Sequence, residues 1–134
     1  MSRWRHPRDD RGASSVEMIF YTPLLMLAIF AIVQFSLTWY GNELAGAVAR
    51  EAARVVRTGG GTAGSVQEAR QRAVTYAEQI GGASLRDVDV TVTQPDALTV
   101  RVTVTGRAVE IVQGLAPEVS ATVQGPVERF RADT

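Results

Sequence analysis

The sequence contains no cysteine and no lysine, and its only histidine is His6. The lack of cysteine excludes a disulfide framework and a thiolate metal site. His6 has no acidic cluster at metal-ligand spacing, and without lysine or a second histidine no serine has a base to activate it. We therefore expect a protein that is not an enzyme, with no catalytic residue, no metal site and no cofactor.

An excess of one charge is also lacking, because 14 basic residues balance 14 acidic ones. The sequence therefore predicts neither a nucleic-acid partner nor a polyanionic one. No small-molecule substrate is expected either. The basic residues Arg3, Arg5, Arg8 and Arg11 do crowd the N-terminal tail. Their arrangement favours a segment that sets membrane topology over one that binds nucleic acid.

Charge is absent altogether from Met18 to Tyr40. As a helix rising about 1.5 Å per residue, this run is long enough to cross a hydrocarbon core roughly 30 Å thick. Trp39 and Tyr40 are typical of the interface that ends such a span. The run predicts a single membrane span at about residues 18–40, with membrane lipid as a partner. The arginines of the short tail narrowly favour a cytoplasmic N-terminus.

The segment Gly41 to Arg57 is rich in alanine and arginine and has no proline, so it extends the transmembrane helix into water. Apolar residues recur on one stripe at Leu44, Val48, Ala52 and Val55. Small residues that permit close helix packing follow the same segment: Ala45, Gly46, Ala49 and Ala53. This face packs either against another subunit or against the domain of the same chain, and both can hold for different parts of the helix.

The sequence Thr58 to Gly64 breaks the helix, because its glycines disfavour helical backbone. Ser65 and Glu68 then form the pattern of a capping box, which predicts a second helix with one apolar face. The residues of that face are Val66, Ala69, Ala73, Tyr76 or Ala77, and Ile80. Gly81-Gly82 predicts its end.

From Asp87 onward, valines alternate with polar residues, which is typical of half-buried strands. We expect strands at Val88 to Thr93, at Leu98 to Thr105 and at Glu118 to Phe130, with Gln94 to Ala97 as the first turn and Gly125-Pro126 interrupting the third strand. The fold class expected is an α+β membrane protein. A long N-terminal transmembrane helix extends into a small soluble domain with a second helix and a three-stranded antiparallel sheet.

One acidic residue, Glu17, lies at the start of the apolar run. A carboxylate inside a span costs about 2 to 3 kcal/mol at mid-membrane and less near the edge, so an acid at this depth is by default a functional candidate. It either reaches back to the interface or pairs with a positive charge that another chain supplies within the membrane.

The sequence Arg11-Gly12-Ala13-Ser14-Ser15-Val16-Glu17, the apolar run and Ala49-Arg50-Glu51-Ala52-Ala53-Arg54 together resemble the TadE/TadG-like family of pilin-like proteins, which belong to the tight-adherence (type IVc) pilus system. The resemblance implies that a prepilin peptidase cuts after Gly12 on the cytoplasmic side. Ala13 would become the N-terminus and Glu17 the fifth residue of the mature chain.

The resemblance also implies a pilin-like layout of four parts. These are a basic leader at 1–12, a transmembrane and extended helix at 13–57, a glycine-rich linker at 58–64 and an extracytoplasmic domain at 65–134. Other pilin-like subunits and the inner-membrane platform of the system are the implied partners. The major pilins of this system have a Glu-Tyr pair at the leader junction, and their chains end soon after the helix. Here Met18 follows Glu17 and a domain is appended, which favours a minor pilin or pseudopilin that assembles a pilus or a related secretion structure.

Two other functions are compatible with the same sequence. Ala45-Gly46-Ala47 fits the small-residue pattern of a signal-peptidase site, so a secreted binding domain cleaved after Ala47 is one alternative. The run from Met18 to Tyr40 is, however, longer than the roughly 7 to 15 apolar residues of a signal peptide. An uncleaved single-pass anchor or accessory protein, in which Glu17 is incidental, is the other.

Overall fold

The computed structural model describes residues 11–111, 113–114 and 116–128, and for residues 11–14 it describes the backbone alone. The leader positions 1–10, including His6, lie outside this range. The described chain forms helix α1 (Arg11–Thr58), helix α2 (Ala63–Gly81), a short 3-10 turn (Gly82–Ser84) and the strands β1 (Leu85–Asp96), β2 (Thr99–Ala108) and β3 (Glu118–Pro126). The α+β layout predicted from the sequence, with a long apolar N-terminal helix, is confirmed.

The chain divides into two compact units, one up to Val33 and one from Gln34 onward. In the first unit α1 exposes apolar side chains all round, since Leu24 to Leu27 cover a full turn and are between 48% and 66% exposed. The hydroxyl of Thr22 donates to the carbonyl oxygen of Met18 at 2.7 Å, so it is satisfied without water. Among the described residues one helix is long and apolar enough to cross a membrane, and it is α1.

The second unit has a hydrophobic core between the later part of α1, helix α2 and one face of the sheet. The stripe predicted on α1 lies in this core, with Leu44, Val48 and Ala52 buried and Val55 packed at its edge. The predicted face of α2 contributes Ala69, Ala73 and Ala77, with Val66, Tyr76 and Ile80 partly buried beside them. The sheet contributes Leu85, Val90, Val100, Val102, Val104, Ala108 and Val119.

The connection between the two helices is shorter than predicted, because α2 already begins at Ala63 and not after residue 64. The expected capping box of Ser65 and Glu68 is wrong. Thr62 is the N-cap, since its extended backbone places the hydroxyl oxygen where it accepts the N–H of Ser65 at 3.3 Å. Ser65 is itself helical and buried. Helix α2 ends at Gly81, followed by Gly82 with φ of 50°, as the Gly-Gly pair predicts.

The sheet has the order β1-β2-β3 with both pairs antiparallel. At its centre Val102 faces Val92 of β1 and Val123 of β3, and Val100, Val102 and Val104 are all buried. The alternation of valine with polar residues is therefore the alternation between core and solvent faces.

The first turn lies further along the chain than predicted. Strand β1 continues through Pro95 to Asp96, and the turn is at Ala97 and Leu98, with the carboxylate Oδ1 of Asp96 accepting the N–H of Leu98 at 2.8 Å. Leu98, expected in a strand, is 59% exposed. Pro95 is tolerated because β1 is an edge strand and the missing N–H needs no partner. The hydrogen bond from the Leu98 amide also lowers the pKa of Asp96.

Of the two edge strands, β1 is irregular, whereas β3 pairs with β2 without a register shift. In β1 the register shifts between Arg86 and Asp89, where Asp87 has a positive φ of 51°, and shifts again between Thr93 and Asp96. Strand β3 ends at Pro126, so Gly125-Pro126 terminates it where an interruption was expected. Phe130, the expected end of the strand, lies outside the described residues.

Candidate functional site

Glu17 lies in the first unit, on the part of α1 that is apolar all round. Its side chain is exposed, and so are those of its neighbours Val16, Met18 and Ile19. The positions three and four residues away hold Ala13, Ser14, Phe20 and Tyr21, none of which carries a positive charge. The side chains at i±3 and i±4 on its own helix thus supply no cation to this carboxylate.

The predicted processing junction, Gly12 and Ala13, lies in the first turn of α1. Counted from Ala13, Glu17 is four residues further on, so one helical turn of about 5.4 Å separates the two positions. A new amino group on Ala13 would place a positive charge at one end of α1 and leave the acid one turn inside it.

The small residues predicted to pack helices divide into two groups. Ala45 and Ala49 are fully buried and Ala53 is 3% exposed, and all three belong to the core of the chain's own domain. Gly46 is only half-buried, and a Cβ atom there would meet just the guanidinium of Arg50, at 3.4 Å. Of the four residues, Gly46 therefore lies outside the core and is available to a neighbouring molecule.

An ion-pair cluster that sequence reasoning missed joins the two helices. Glu51, whose side chain is 16% exposed, accepts hydrogen bonds from Arg54 at 2.8 and 3.0 Å and from Arg72 of α2 at 3.2 Å. Hydrogen bonding by Arg54, and then by Arg72, lowers the pKa of Glu51, and the same contact raises that of Arg54. The i, i+3 spacing could have indicated the Arg54 contact, but no local pattern points to Arg72.

Replacing Glu51 by Gln is expected to lower the melting temperature of the domain at pH 7 by about 2–5 °C, since surface ion pairs contribute modestly. The lowered pKa means that the folded state holds this proton less tightly than the unfolded state. The stabilisation is therefore complete above the ordinary value of 4.5 and disappears as the pH falls through the lowered pKa.

Thermal unfolding of the parent and of Glu51→Gln in detergent, followed by circular dichroism from pH 7 to pH 3, checks this prediction. Glu43→Gln, an exposed acid on the same helix for which no ion pair is seen within the described residues, is the control. A difference between parent and Glu51→Gln that persists at the lowest pH would contradict the role of the carboxylate.

A second cluster that the sequence did not reveal links α1 to the connection between β2 and β3. The side-chain oxygen of Gln34 accepts the N–H of Ile111 at 3.2 Å, and its amide nitrogen donates to the carbonyl of Val109 at 3.4 Å. A few residues further along α1, Leu37 and Thr38 are half-buried and Gly41 is buried beside Ala108 and Val119. Gln34, which lies within the span predicted at 18–40, thus contacts the domain.

The fold defines a class of protein: a small α+β domain whose first helix begins as an exposed apolar segment consistent with a single-pass membrane anchor. Residues 12–54 match the family of TadE-like proteins, which confirms the resemblance found in the sequence for this part of the chain. No curated protein and no solved structure matches the chain. The family match associates this part of the chain with the Tad pilus system.

Proposed function

We propose that the protein is a TadE-like minor pilin or pseudopilin that takes part in assembling a type IVc pilus or a related secretion structure. A prepilin peptidase removes the leader after Gly12 while the N-terminus is in the cytoplasm. The mature chain, anchored in the cytoplasmic membrane with its domain on the outer side, then joins other pilin-like subunits at the inner-membrane platform. The family match over residues 12–54 supports this proposal.

The observation that carries the proposal is the position of Glu17. Its carboxylate projects from a helix whose surroundings are apolar, and its distance from Gly12 makes it the fifth residue of the processed chain. In a bundle of parallel helices staggered by one subunit, the amino group of a neighbour's Ala13 would meet this carboxylate. In a medium of low dielectric constant such a pair is strong, and an unpaired charge is costly. The acid would then select the register between subunits.

The outer part of α1 would contribute a second contact. Gly46 lies outside the domain core, and a residue without a side chain allows another helix to approach closely. Ala45, Ala49 and Ala53 support this contact indirectly, because they hold α1 in the domain.

The alternative cleavage after Ala47 is opposed by packing. It would separate Leu44 and Ala45 from Val48, although all three are buried in the same core. A secreted domain starting at Val48 would therefore lose apolar surface that the fold uses, at a cost of about 1.5–3 kcal/mol for a residue such as Leu44 alone.

We expect N-terminal sequencing of the membrane-extracted protein, produced with the prepilin peptidase of its own system, to give a chain that starts at Ala13. A start at Met1 or Ser2 in the presence of active peptidase would favour the uncleaved anchor, and a start at Val48 the secreted domain. The same preparation made without the peptidase is the control, and it should retain the leader.

A further inference from the structure

The connection between β2 and β3 begins at Val109, directly after the end of β2. Its backbone donates one hydrogen bond to the side chain of Gln34, through the N–H of Ile111, and accepts another from it, at the carbonyl of Val109, so the connection lies beside Gln34 of α1. Gln34 follows directly on the residues whose apolar side chains are exposed all round the helix. The connection therefore lies at the level of Gln34, the residue of α1 with which the second unit begins.

This end of the domain carries apolar side chains that the fold leaves exposed. Phe35 is 74% exposed, Trp39 62% and Tyr40 45% on α1, and Ile111 is 42% exposed in the connection. We call these four residues the basal surface. Isolated exposed apolar residues are common, but those on α1 lie at the far end of the predicted membrane span and include the two aromatic types enriched at membrane interfaces.

The charged side chain of the connection itself, that of Glu110, is engaged by backbone N–H groups, while Arg86, Asp87 and Arg107 lie beside the same connection. Glu110 is the single charged residue in the sequence between Ala108 and Glu118. Its carboxylate Oε2 accepts the N–H groups of Gly114 at 2.9 Å and Ala116 at 2.8 Å. A carboxylate that caps backbone donors in this way is already partly compensated, so approach to an apolar phase costs less than for a free acid.

We propose that the basal surface binds the lipid surface of the membrane in which α1 is anchored, on the side that carries the domain. The membrane surface is a plane that crosses α1. Ile111 and the α1 residues that contact this surface therefore need to lie at the same height along the helix axis, but not on the same face of the helix. This proposal rests on the membrane insertion included in the proposed function, but not on processing or on assembly into a filament.

The proposal changes the expected depth of α1. Residues 34–40, predicted as the end of the hydrocarbon-spanning segment, would lie in the interfacial region instead. The segment from Ser14 to Val33 would cross the core, and at about 1.5 Å per residue its length of about 30 Å matches the core thickness. Glu17 would then lie inside the hydrocarbon by about one turn.

The absence of cysteine allows a direct test with single labelled cysteines in the full chain. Ile111→Cys, Leu98→Cys and Ile29→Cys, each labelled with the fluorophore NBD, are reconstituted in vesicles of phosphatidylcholine and phosphatidylglycerol. Leu98 is the matched control, because it is an exposed apolar residue in the turn between β1 and β2. Ile29 reports on the span. Quenching is measured with nitroxide-labelled lipids and with a water-soluble quencher.

We expect lipid nitroxides to quench Ile111→Cys at least about twofold more than Leu98→Cys, with a blue-shifted emission at position 111, as for a residue in the interface. Lipid quenching at position 29 with equal exposure to water at positions 111 and 98 would overturn the basal contact and leave the membrane anchor intact. Water exposure at position 29 as well would overturn both. Equal lipid quenching at 111 and 98 would overturn the assignment of this surface.

Discussion

Cells that produce Glu17→Gln are expected to assemble at least about tenfold less of the protein into surface structures, although the variant inserts and is processed normally. The amide is nearly isosteric but has no charge, so it cannot compensate the amino group of a neighbouring Ala13 in a medium of low dielectric constant. Breaking a buried ion pair by removing one partner costs about 3–5 kcal/mol, and each 1.4 kcal/mol is a factor of ten in an equilibrium.

Immunoblotting of sheared surface material against the membrane fraction measures the effect. Glu43→Gln is the matched control, because Glu43 is an exposed acid on the same helix, within the folded unit and outside the apolar segment. Glu17→Asp keeps the charge but shortens the side chain and should assemble at an intermediate level. Assembly of Glu17→Gln at the level of the parent would show that the acid does not set the register.

Gly41→Val is expected to lower the free energy of unfolding of the domain by about 2–3 kcal/mol, as overpacking of a tight core does. Gly41 is buried, and a Cβ atom there would lie 2.9 Å from the Cβ of Ala108 and 3.4 Å from Cγ1 of Val119. Both neighbours are fixed in the sheet, so the helix must move away. A loss of this size is a large part of the 5–15 kcal/mol that stabilises an ordinary domain.

Gly46→Val provides the control, because it makes the same substitution in the same helix at a position where only the flexible Arg50 side chain is near. Its expected effect is within about 0.5 kcal/mol, since valine has a better helix propensity than glycine. Urea unfolding of the full chain in detergent, followed by circular dichroism, measures both variants. Equal losses would mean that the contact between Gly41 and the sheet is not tight in solution.

The fold could be predicted wherever one local pattern decided it. The valine alternation predicted the sheet, the spacing of alanines on α2 predicted its buried face, and Gly81-Gly82 predicted its end. The patterns failed where two residues, or two backbone conformations, fit the same stretch of sequence. Thr62 and Ser65 both fit an N-cap, and only the backbone geometry selects Thr62. Pro95 is typical of a turn. Only the order of the strands, which makes β1 an edge strand, shows that this proline can lie within a strand.

The candidate site at Glu17 stays a prediction, and it rests on local sequence alone. Glu17 is identified by its distance from Gly12 and by the apolar residues after it, all of which are local in sequence. Gln34 could not be identified in the same way, because an amide in an apolar run resembles a tolerated polar residue. Its contacts with Val109 and Ile111 exist only after the sheet has brought the connection back to α1. Arg72 reaches Glu51 for the same reason.

The irregular edge of β1 has a consequence for how this domain meets other protein chains. An unpaired strand is a template for indiscriminate pairing between chains. In β1 only Asp89 to Thr93 keeps a continuous register, between the bend at Asp87 and the proline at position 95. Such a short regular segment presents few backbone N–H and C=O groups with which a neighbouring strand could pair. Pairing with another chain through the β1 edge is thereby discouraged.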